Sequence, residues 1–208
     1  SYGSMLGSGQ KILVTGDGSP NARVAKRALI AGLLNGGLDV LDGGTVVGNL
    51  TRFGAPLFGA RGALHCETLP GRPGIVNIQC WNHAGHLLSK ADQRKLENIF
   101  LRDDYSRSAD GEMGELSFVS GLSDKYIETL AKAYRTARQG YAVGVKALSE
   151  KAHSFAKLLL EFLGRAGYKL AEPEQAHITI VVDDEGWYLE DEVGQQHGEE
   201  AWWHIFAQ

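Results

Sequence analysis

The stretch KILVTGDGSP, residues 11–20, decides the fold because it combines a buried strand, a tight turn and the start of a helix. Its first five residues form a short apolar run, which is typical of a strand covered on both faces. Gly16-Asp17-Gly18 predicts a turn, and Ser19 followed by Pro20 is typical of a helix N-cap and its first helical position. We therefore expect a strand that leads directly into a helix.

An amphipathic helix and a second strand follow this turn. Small and apolar residues recur at positions i, i+3, i+4, i+7 and i+8 from Ala25 to Leu33, and Gly36-Gly37 then marks a helix stop. Asp39–Leu41 is a second short strand. A strand, a helix and a strand joined by tight loops predict a βαβ unit, in which the two strands are parallel.

The α/β alternation continues to residue 139. A weaker helix is predicted at Leu50–Phe58, where Gly54 and Pro56 interrupt the pattern. Two strands are predicted at Gly62–Cys66 and Ile75–Trp81. The capping pair Ser89 and Asp92 predicts the start of a helix, whose apolar face contains Leu96, Ile99 and Phe100. A surface loop at Ser106–Gly121 and a helix after Ser123 follow. This order is typical of an α/β domain with a parallel sheet.

Gln139-Gly140 is the predicted domain boundary, because the cycle of strand and helix starts again after it. The elements predicted there are a strand at Tyr141–Leu148, a helix capped by Ser149 and ending at Gly164, a short strand near Tyr168–Ala171, a hairpin of His177–Asp183 and Trp187–Leu189, and a last helix at Glu199–Ala207 with Trp202, Trp203 and Phe206. We therefore predict two domains, residues 1–139 and residues 140–208, the second being a smaller α+β domain.

Composition excludes several classes of protein. The 27 glycines among 208 residues follow no three-residue period, which argues against a collagen-like chain. The net charge of −4 and the lack of a basic stripe predict no nucleic-acid partner. No apolar run reaches the roughly 18 residues of a membrane span, and residues 1–10 lack a signal-peptide pattern, so we expect no membrane association. Cys66 and Cys80 match no metal or redox spacing, which predicts two free thiols in a cytoplasmic protein.

The order of these pieces resembles the α-D-phosphohexomutase family, which includes phosphoglucomutase and phosphomannomutase. KILVTGDGSP at 11–20, ALIAGLLNGGLDVLDGGTV at 28–46 and LENIFLRDDY at 96–105 carry the resemblance. Through SYGSMLGSGQK at 1–11 and LENIFLRDDYSR at 96–107, the chain more closely resembles the mutase-like region fused to bacterial mannose-1-phosphate guanylyltransferase homologues. The resemblance implies a three-layer α/β/α domain at 1–139 and a shortened second domain of the family at 140–208.

The resemblance also implies a serine on a tight loop that carries the transferred phosphoryl group. The family pattern Thr-Ala-Ser-His-Asn-Pro corresponds here to His65–Pro70, HCETLP. Alignment from Pro70 puts Glu67 at the nucleophile position, whereas alignment from Gly62 puts Thr68 there. Glutamate cannot serve as a reusable phosphoserine, whereas threonine can carry a phosphate.

The family's phosphate-binding loop after the first strand and its metal-binding loop are both incomplete in this sequence. Asp17 matches the family's aspartate, but Gly16 and Ser19 replace its arginine neighbours, so Asp17, Ser19 and Arg72 are left as candidate phosphate contacts. Asp183–Gly186 lacks the family's Asp-Gly-Asp-x-Asp-Arg spacing. We therefore assign no metal ligand and expect no cofactor in this chain, although the family uses Mg²⁺.

Two hypotheses about function follow from the resemblance. In the first, the chain is a catalytically degenerate mutase-like module of carbohydrate metabolism, which binds a sugar phosphate or acts in regulation or assembly. In the second, it contributes part of an active phosphohexomutase, an intramolecular phosphotransferase, whose site another segment or subunit completes. The expected partners are a sugar phosphate and either the remainder of a larger sugar-nucleotide enzyme or a second copy of the chain.

Overall fold

The fold is taken from a computed structural model, which describes residues 1–69, 71–105, 112–133, 141–183 and 187–197. The chain divides into two compact units, Ser1–Leu122 and Ser123–Gln208. The boundary predicted at Gln139-Gly140 lies in residues 134–140, outside the described residues. Within the described ranges, no helix is both long and apolar enough to cross a membrane.

The first unit is built on one five-stranded mixed sheet. Its elements are α1 (Tyr2–Leu6), β1 (Lys11–Gly16), α2 (Pro20–Asn35), β2 (Asp39–Thr45), α3 (Gly48–Leu57), β3 (Gly62–Leu69), β4 (Arg72–Asn82), α4 (Lys90–Leu101) and β5 (Leu116–Phe118). The strand order is β4-β3-β1-β2-β5, with β4 antiparallel to β3 and the other neighbours parallel. The predicted βαβ unit is therefore confirmed as β1, α2 and β2.

Strand β1 is buried on both faces because a helix covers each side of the sheet. Ile12 and Val14 belong to the core cluster that contains Ile30 and Leu33 of α2. Leu13 points to the other face, where its cluster includes Ala55 of α3. Successive side chains of a strand alternate between faces, so the apolar residues of β1 pack into two hydrophobic cores, one on each face of the sheet. This arrangement is the expected three-layer α/β/α architecture.

The second unit contains another five-stranded sheet. Its elements are most of α5 (Leu122–Ala133), β6 (Ala142–Ala147), α6 (Glu150–Ala166), β7 (Lys169–Leu170), a 3₁₀ turn (Pro173–Gln175), β8 (Ile178–Val182), β9 (Trp187–Asp191) and β10 (Gln196–His197). The order is β10-β9-β8-β6-β7, and the predicted antiparallel pairing of β8 with β9 is confirmed. The predicted turn at residues 184–186 and the predicted helix at 199–207 with Trp202, Trp203 and Phe206 lie outside the described residues.

The two sheets repeat one order of strand pairing. In each, the first strand lies between the second and the third as a parallel neighbour, and the third pairs antiparallel with the fourth. The sequence alone does not reveal this repeat, because the pieces differ in kind: helix α3 connects the second and third strands of the first sheet, whereas only a 3₁₀ turn, Pro173–Gln175, does so in the second.

Three sequence-based expectations are wrong. The predicted loop Ser106–Gly121 contains strand β5, whose three residues are all exposed and therefore show no alternation of apolar residues. Helix α6 continues past Gly164 to Ala166, and Gly167 provides the left-handed cap with φ 91°. Phe100, predicted on the apolar face of α4, is 63% exposed, since α4 buries no side chain completely.

Candidate functional site

The loop between β1 and α2 lies against the end of β3 through the carboxylate of Asp17. Its Oδ1 atom accepts hydrogen bonds from the backbone N–H of Ser19 at 2.9 Å and from the Ser19 hydroxyl at 2.7 Å. Its Oδ2 atom accepts the backbone N–H of Thr68 at 2.9 Å. The Ser19 and Thr68 hydroxyl oxygens are 2.5 Å apart. The structure thus brings together three of the residues singled out in the sequence, at the carboxyl ends of two parallel strands.

Ser19 occupies the N-cap position of α2, but its hydroxyl makes no capping hydrogen bond. The hydroxyl turns instead to the Asp17 carboxylate, because a charged acceptor forms the stronger hydrogen bond. Pro20 at the first helical position has no N–H, so the helix start has one fewer donor to satisfy. The proline start is confirmed, and the side-chain cap by Ser19 is wrong.

Glu67 and Thr68 point to opposite faces of β3, as neighbours in a strand must. Glu67 lies opposite Asn77, and its Oε1 accepts the side-chain amides of Asn77 at 2.9 Å and Gln79 at 2.5 Å. Of the two residues offered for the nucleophile position, only Thr68 therefore lies beside the loop that carries Asp17.

Arg72 begins strand β4 at the tip of the β3–β4 hairpin, opposite Leu69. Its side chain is exposed and makes no ion pair with any residue in the described ranges. The structure does not bring Arg72 into the hydrogen-bonded group of Asp17, Ser19 and Thr68, so it remains a candidate contact at the rim of this site.

A buried polar cluster that sequence reasoning missed lies on the other face of the sheet. The Thr15 hydroxyl is 2.8 Å from His65 Nδ1 and 2.5 Å from the Thr51 hydroxyl. All three side chains are at most 1% exposed. The cluster joins β1, α3 and β3, and satisfied polar groups of this kind stabilise one packing arrangement. The only sequence signals are a threonine and a histidine within apolar strands, which do not predict that the two meet.

The two cysteines are free thiols, as predicted. Burial raises the pKa of both Cys66 and Cys80 to about 11. Since the thiolate is the nucleophilic form, neither thiol is activated near neutral pH. Cys66 is completely buried, so we interpret it as a packing residue.

The described residues do not fit the magnesium site that the family resemblance implies. No group of three or more histidine, cysteine, aspartate or glutamate side chains converges in those residues in a way that could hold a metal ion. Mg²⁺ requires converging oxygen ligands, so no chemical step is assigned to it in this chain. Asp184 and Glu185 lie outside the described residues.

Comparisons of sequence identify mutases as relatives, although no family model matches the chain. The probable phosphoglucosamine mutase of Thermococcus kodakarensis is 30% identical over 130 residues, which are 62% of this chain and 28% of that protein. The phosphoglucosamine mutase of Mycobacterium ulcerans is 26% identical over 199 residues, covering 93% of this chain and 42% of that protein. The chain therefore spans less than half the length of these curated relatives.

Comparisons of structure identify the same fold. A phosphoglucomutase/phosphomannomutase family protein from Burkholderia thailandensis has a TM-score of 0.72 and 17% identity, over 94% of this chain and 50% of that one. A putative phosphomannomutase from Thermus thermophilus has a TM-score of 0.69 and 17% identity, over 94% of this chain and 52% of that one. The sequence relatives are named as phosphoglucosamine mutases, and the structural neighbours share the fold of this chain.

Proposed function

We propose that this chain is a sugar-phosphate-binding module of carbohydrate metabolism in which the mutase chemistry has been lost. Its role is regulation or assembly within a larger sugar-nucleotide enzyme. One observation carries the proposal: Thr68, one of the two residues that the sequence offers for the family's nucleophile position, has its hydroxyl in a hydrogen-bonded group with Ser19 and the Asp17 carboxylate.

Charge argues against phosphoryl transfer at Thr68. Phosphoryl transfer depends on cations or a metal ion that neutralise the charge of the transferred group. Here an Asp17 carboxylate oxygen lies 2.9 Å from the backbone nitrogen of Thr68, so a phosphate on this threonine would lie next to a like charge. The described residues also lack a cluster of carboxylate side chains that could hold a magnesium ion. These features favour binding over turnover.

The β1–α2 loop and Arg72 offer groups that can bind a phosphate. The loop of Gly16, Asp17 and Gly18 follows the carboxyl end of a parallel strand, where open α/β sheets bind their ligands. Arg72 presents an exposed guanidinium at the tip of the adjacent hairpin, and this group can form a bidentate pair with a phosphate.

A calorimetric titration of the purified chain tests the binding role. We expect saturable binding of glucose 6-phosphate and none of glucose, since recognition depends on the phosphate. Arg72→Gln should weaken the binding about tenfold, as expected for a lost charge-assisted contact. Arg61→Gln, which removes another exposed arginine of the same unit, is the matched control and should leave the affinity within twofold. Absence of saturable binding by the wild-type chain would contradict the proposal.

The alternative is that the chain belongs to a working mutase completed by another segment or subunit. Two observations favour it: Thr68, one of the two candidates for the nucleophile position, carries a hydroxyl, and the chain spans less than half the length of its mutase relatives. Incubation with glucose 1,6-bisphosphate followed by phosphopeptide mass spectrometry separates the two. A phosphoryl group on Thr68 would establish the alternative, and an unmodified peptide would rule out that role.

The setting we propose is a cytoplasmic enzyme in which this module follows a nucleotidyltransferase, or in which two copies of the module associate. The support is the resemblance carried by residues 1–11 and 96–107. The full reading frame of the gene tests it: an upstream nucleotidyltransferase domain is expected, and a frame without one would remove the fused arrangement.

A further inference from the structure

A concave pocket lies on the α2 side of the sheet, between α2 and the ends of β1 and β2, and three basic side chains line it. Arg23, Lys26 and Arg27 are at positions i, i+3 and i+4 of α2, so they project from one face of the helix. Gly18 and Thr45 contribute the opposite wall. The cavity measures about 180 Å³.

Among the described residues, one of these three cations has a carboxylate partner. Lys26 forms an ion pair with Asp42, and its ammonium group also donates to the carbonyl of Gly44 at 3.1 Å. Both side chains of this pair are only 13% exposed, so the pair belongs to the wall of the pocket. Within the described ranges, neither Arg23 nor Arg27 has an ion-pair partner. Three cations and one carboxylate leave a local charge of +2 in a chain whose net charge is −4.

The walls of the pocket are held by backbone geometry. Gly18 has a φ of +82°, and a Cβ atom added there would lie 2.7 Å from Thr45 Cγ2. The glycine therefore allows the β1–α2 loop to pack directly on the end of β2. The backbone N–H of Val46 donates to the carbonyl of Gly16 at 2.9 Å and fixes the same approach. A preformed wall lowers the entropic cost of binding a small ligand.

The volume of the cavity limits which chemical group of a ligand it can hold. A cavity of about 180 Å³ has room for a phosphoryl group together with some water. An extended nucleic acid would need further basic residues along a stripe, which the net charge and distribution of this chain do not favour.

We infer that this pocket binds the phosphoryl group of a phosphate monoester, with Arg23 and Arg27 among its cationic contacts. The ligand class rests on the proposed function, and the inference adds the residues that recognise the phosphate. The pocket shares Gly16 and Gly18 with the loop that carries Asp17, so a sugar held there would extend from the edge of the candidate site.

Binding measurements on matched double variants test this inference. The probes are inorganic phosphate, glucose 6-phosphate and a single-stranded DNA oligonucleotide, each titrated into the full chain at low salt and at physiological salt. The pocket variant is Arg23→Gln/Arg27→Gln. The control is Arg52→Gln/Arg61→Gln, which removes the same charge from two exposed arginines of the same unit that do not line this pocket. Thermal unfolding verifies that both variants are folded.

The inference predicts at least about tenfold weaker binding of phosphate and of glucose 6-phosphate to the pocket variant, and a change within twofold for the control. In the wild-type chain, phosphate should also shift the amide NMR signals of Gly16, Gly18 and Gly44, a readout that does not depend on any variant.

Four results would overturn the inference. If the pocket variant binds as the wild type does, these arginines are not the contacts, while the proposed sugar-phosphate role still stands through Arg72. Equal losses in both double variants would indicate unspecific charge attraction. Tighter binding of the oligonucleotide than of phosphate would make the pocket a nucleic-acid contact. No phosphate binding by the wild type would remove the inference and the proposed binding role together.

Discussion

Asp17 connects the β1–α2 loop to the end of β3 through a single carboxylate. It accepts hydrogen bonds from the Ser19 N–H, the Ser19 hydroxyl and the Thr68 N–H. Hydrogen bonds to a charged group each contribute about 1.5–3 kcal/mol. We predict that Asp17→Asn lowers the free energy of unfolding by about 2 kcal/mol, since an amide presents only one acceptor oxygen for these donors. Urea denaturation measures the change.

The control for this prediction is Asp104→Asn, which removes the same charge at an exposed position after α4. We expect this variant to unfold within about 0.5 kcal/mol of the wild type, as is usual for surface substitutions. An Asp17→Asn variant as stable as the control would show that the carboxylate does not hold the loop.

The buried thiols predict how stability changes at alkaline pH. The pKa values of Cys66 and Cys80 are raised from 9.0 to about 11 by burial, so the fold favours their neutral forms. Their contribution to stability is fully present below pH 9 and is lost as the pH rises toward 11. Urea unfolding at several pH values in this range should show a decreasing free energy of unfolding. A Cys66→Ala/Cys80→Ala variant should show a shallower decrease, and an unchanged slope would contradict the assignment.

Sequence reasoning identified part of the candidate site at this scale. Asp17, Ser19 and Thr68 could be singled out because the family resemblance matches them to its aspartate, to one of its arginines and to its nucleophile loop. The basic pocket could not, because Arg23 and Arg27 have the spacing of an ordinary solvated helix face until the end of β2 is placed against them.

The two glycines near the end of α6 have opposite roles. Gly164 lies within the helix, and a Cβ atom there would make only an ordinary contact of 3.5 Å with Leu170 Cδ1. Gly167 adopts φ +91°, which other residues rarely do. We predict that Gly164→Ala raises the free energy of unfolding by about 0.5–1 kcal/mol and that Gly167→Ala lowers it by about 1 kcal/mol. Thermal and urea unfolding of this pair test the prediction, and equal effects would contradict the observed helix end.

The predictability of an element depended on how much of it is buried. β1 and α2 were predictable because two cores impose a clear apolar pattern on them. β5 was not, because backbone hydrogen bonds to β2 at the edge of the sheet hold it while its side chains face solvent. The end of α6 was misplaced because Gly164 and Gly167 look alike in sequence, and only the backbone conformation separates them.

At the scale of the molecule, a fold shared with sugar-phosphate mutases is combined with a changed nucleophile loop. Each of its two units contains a sheet, and the first four strands of the two sheets pair in the same order. The glycine-rich turn after β1 keeps its tight geometry, while Gly16 and Ser19 stand where the family resemblance implies arginines. This combination is the basis on which we propose the assignment of phosphate binding without phosphoryl transfer.

Mutase turnover by the isolated chain tests that assignment most directly. The purified protein is incubated with Mg²⁺, glucose 1-phosphate and a glucose 1,6-bisphosphate primer, and ³¹P NMR follows the conversion to glucose 6-phosphate. A Thr68→Val variant serves as the matched control for the hydroxyl. We predict no conversion by either protein, under conditions in which the wild type binds glucose 6-phosphate. Conversion by the wild type that disappears in Thr68→Val would contradict the account.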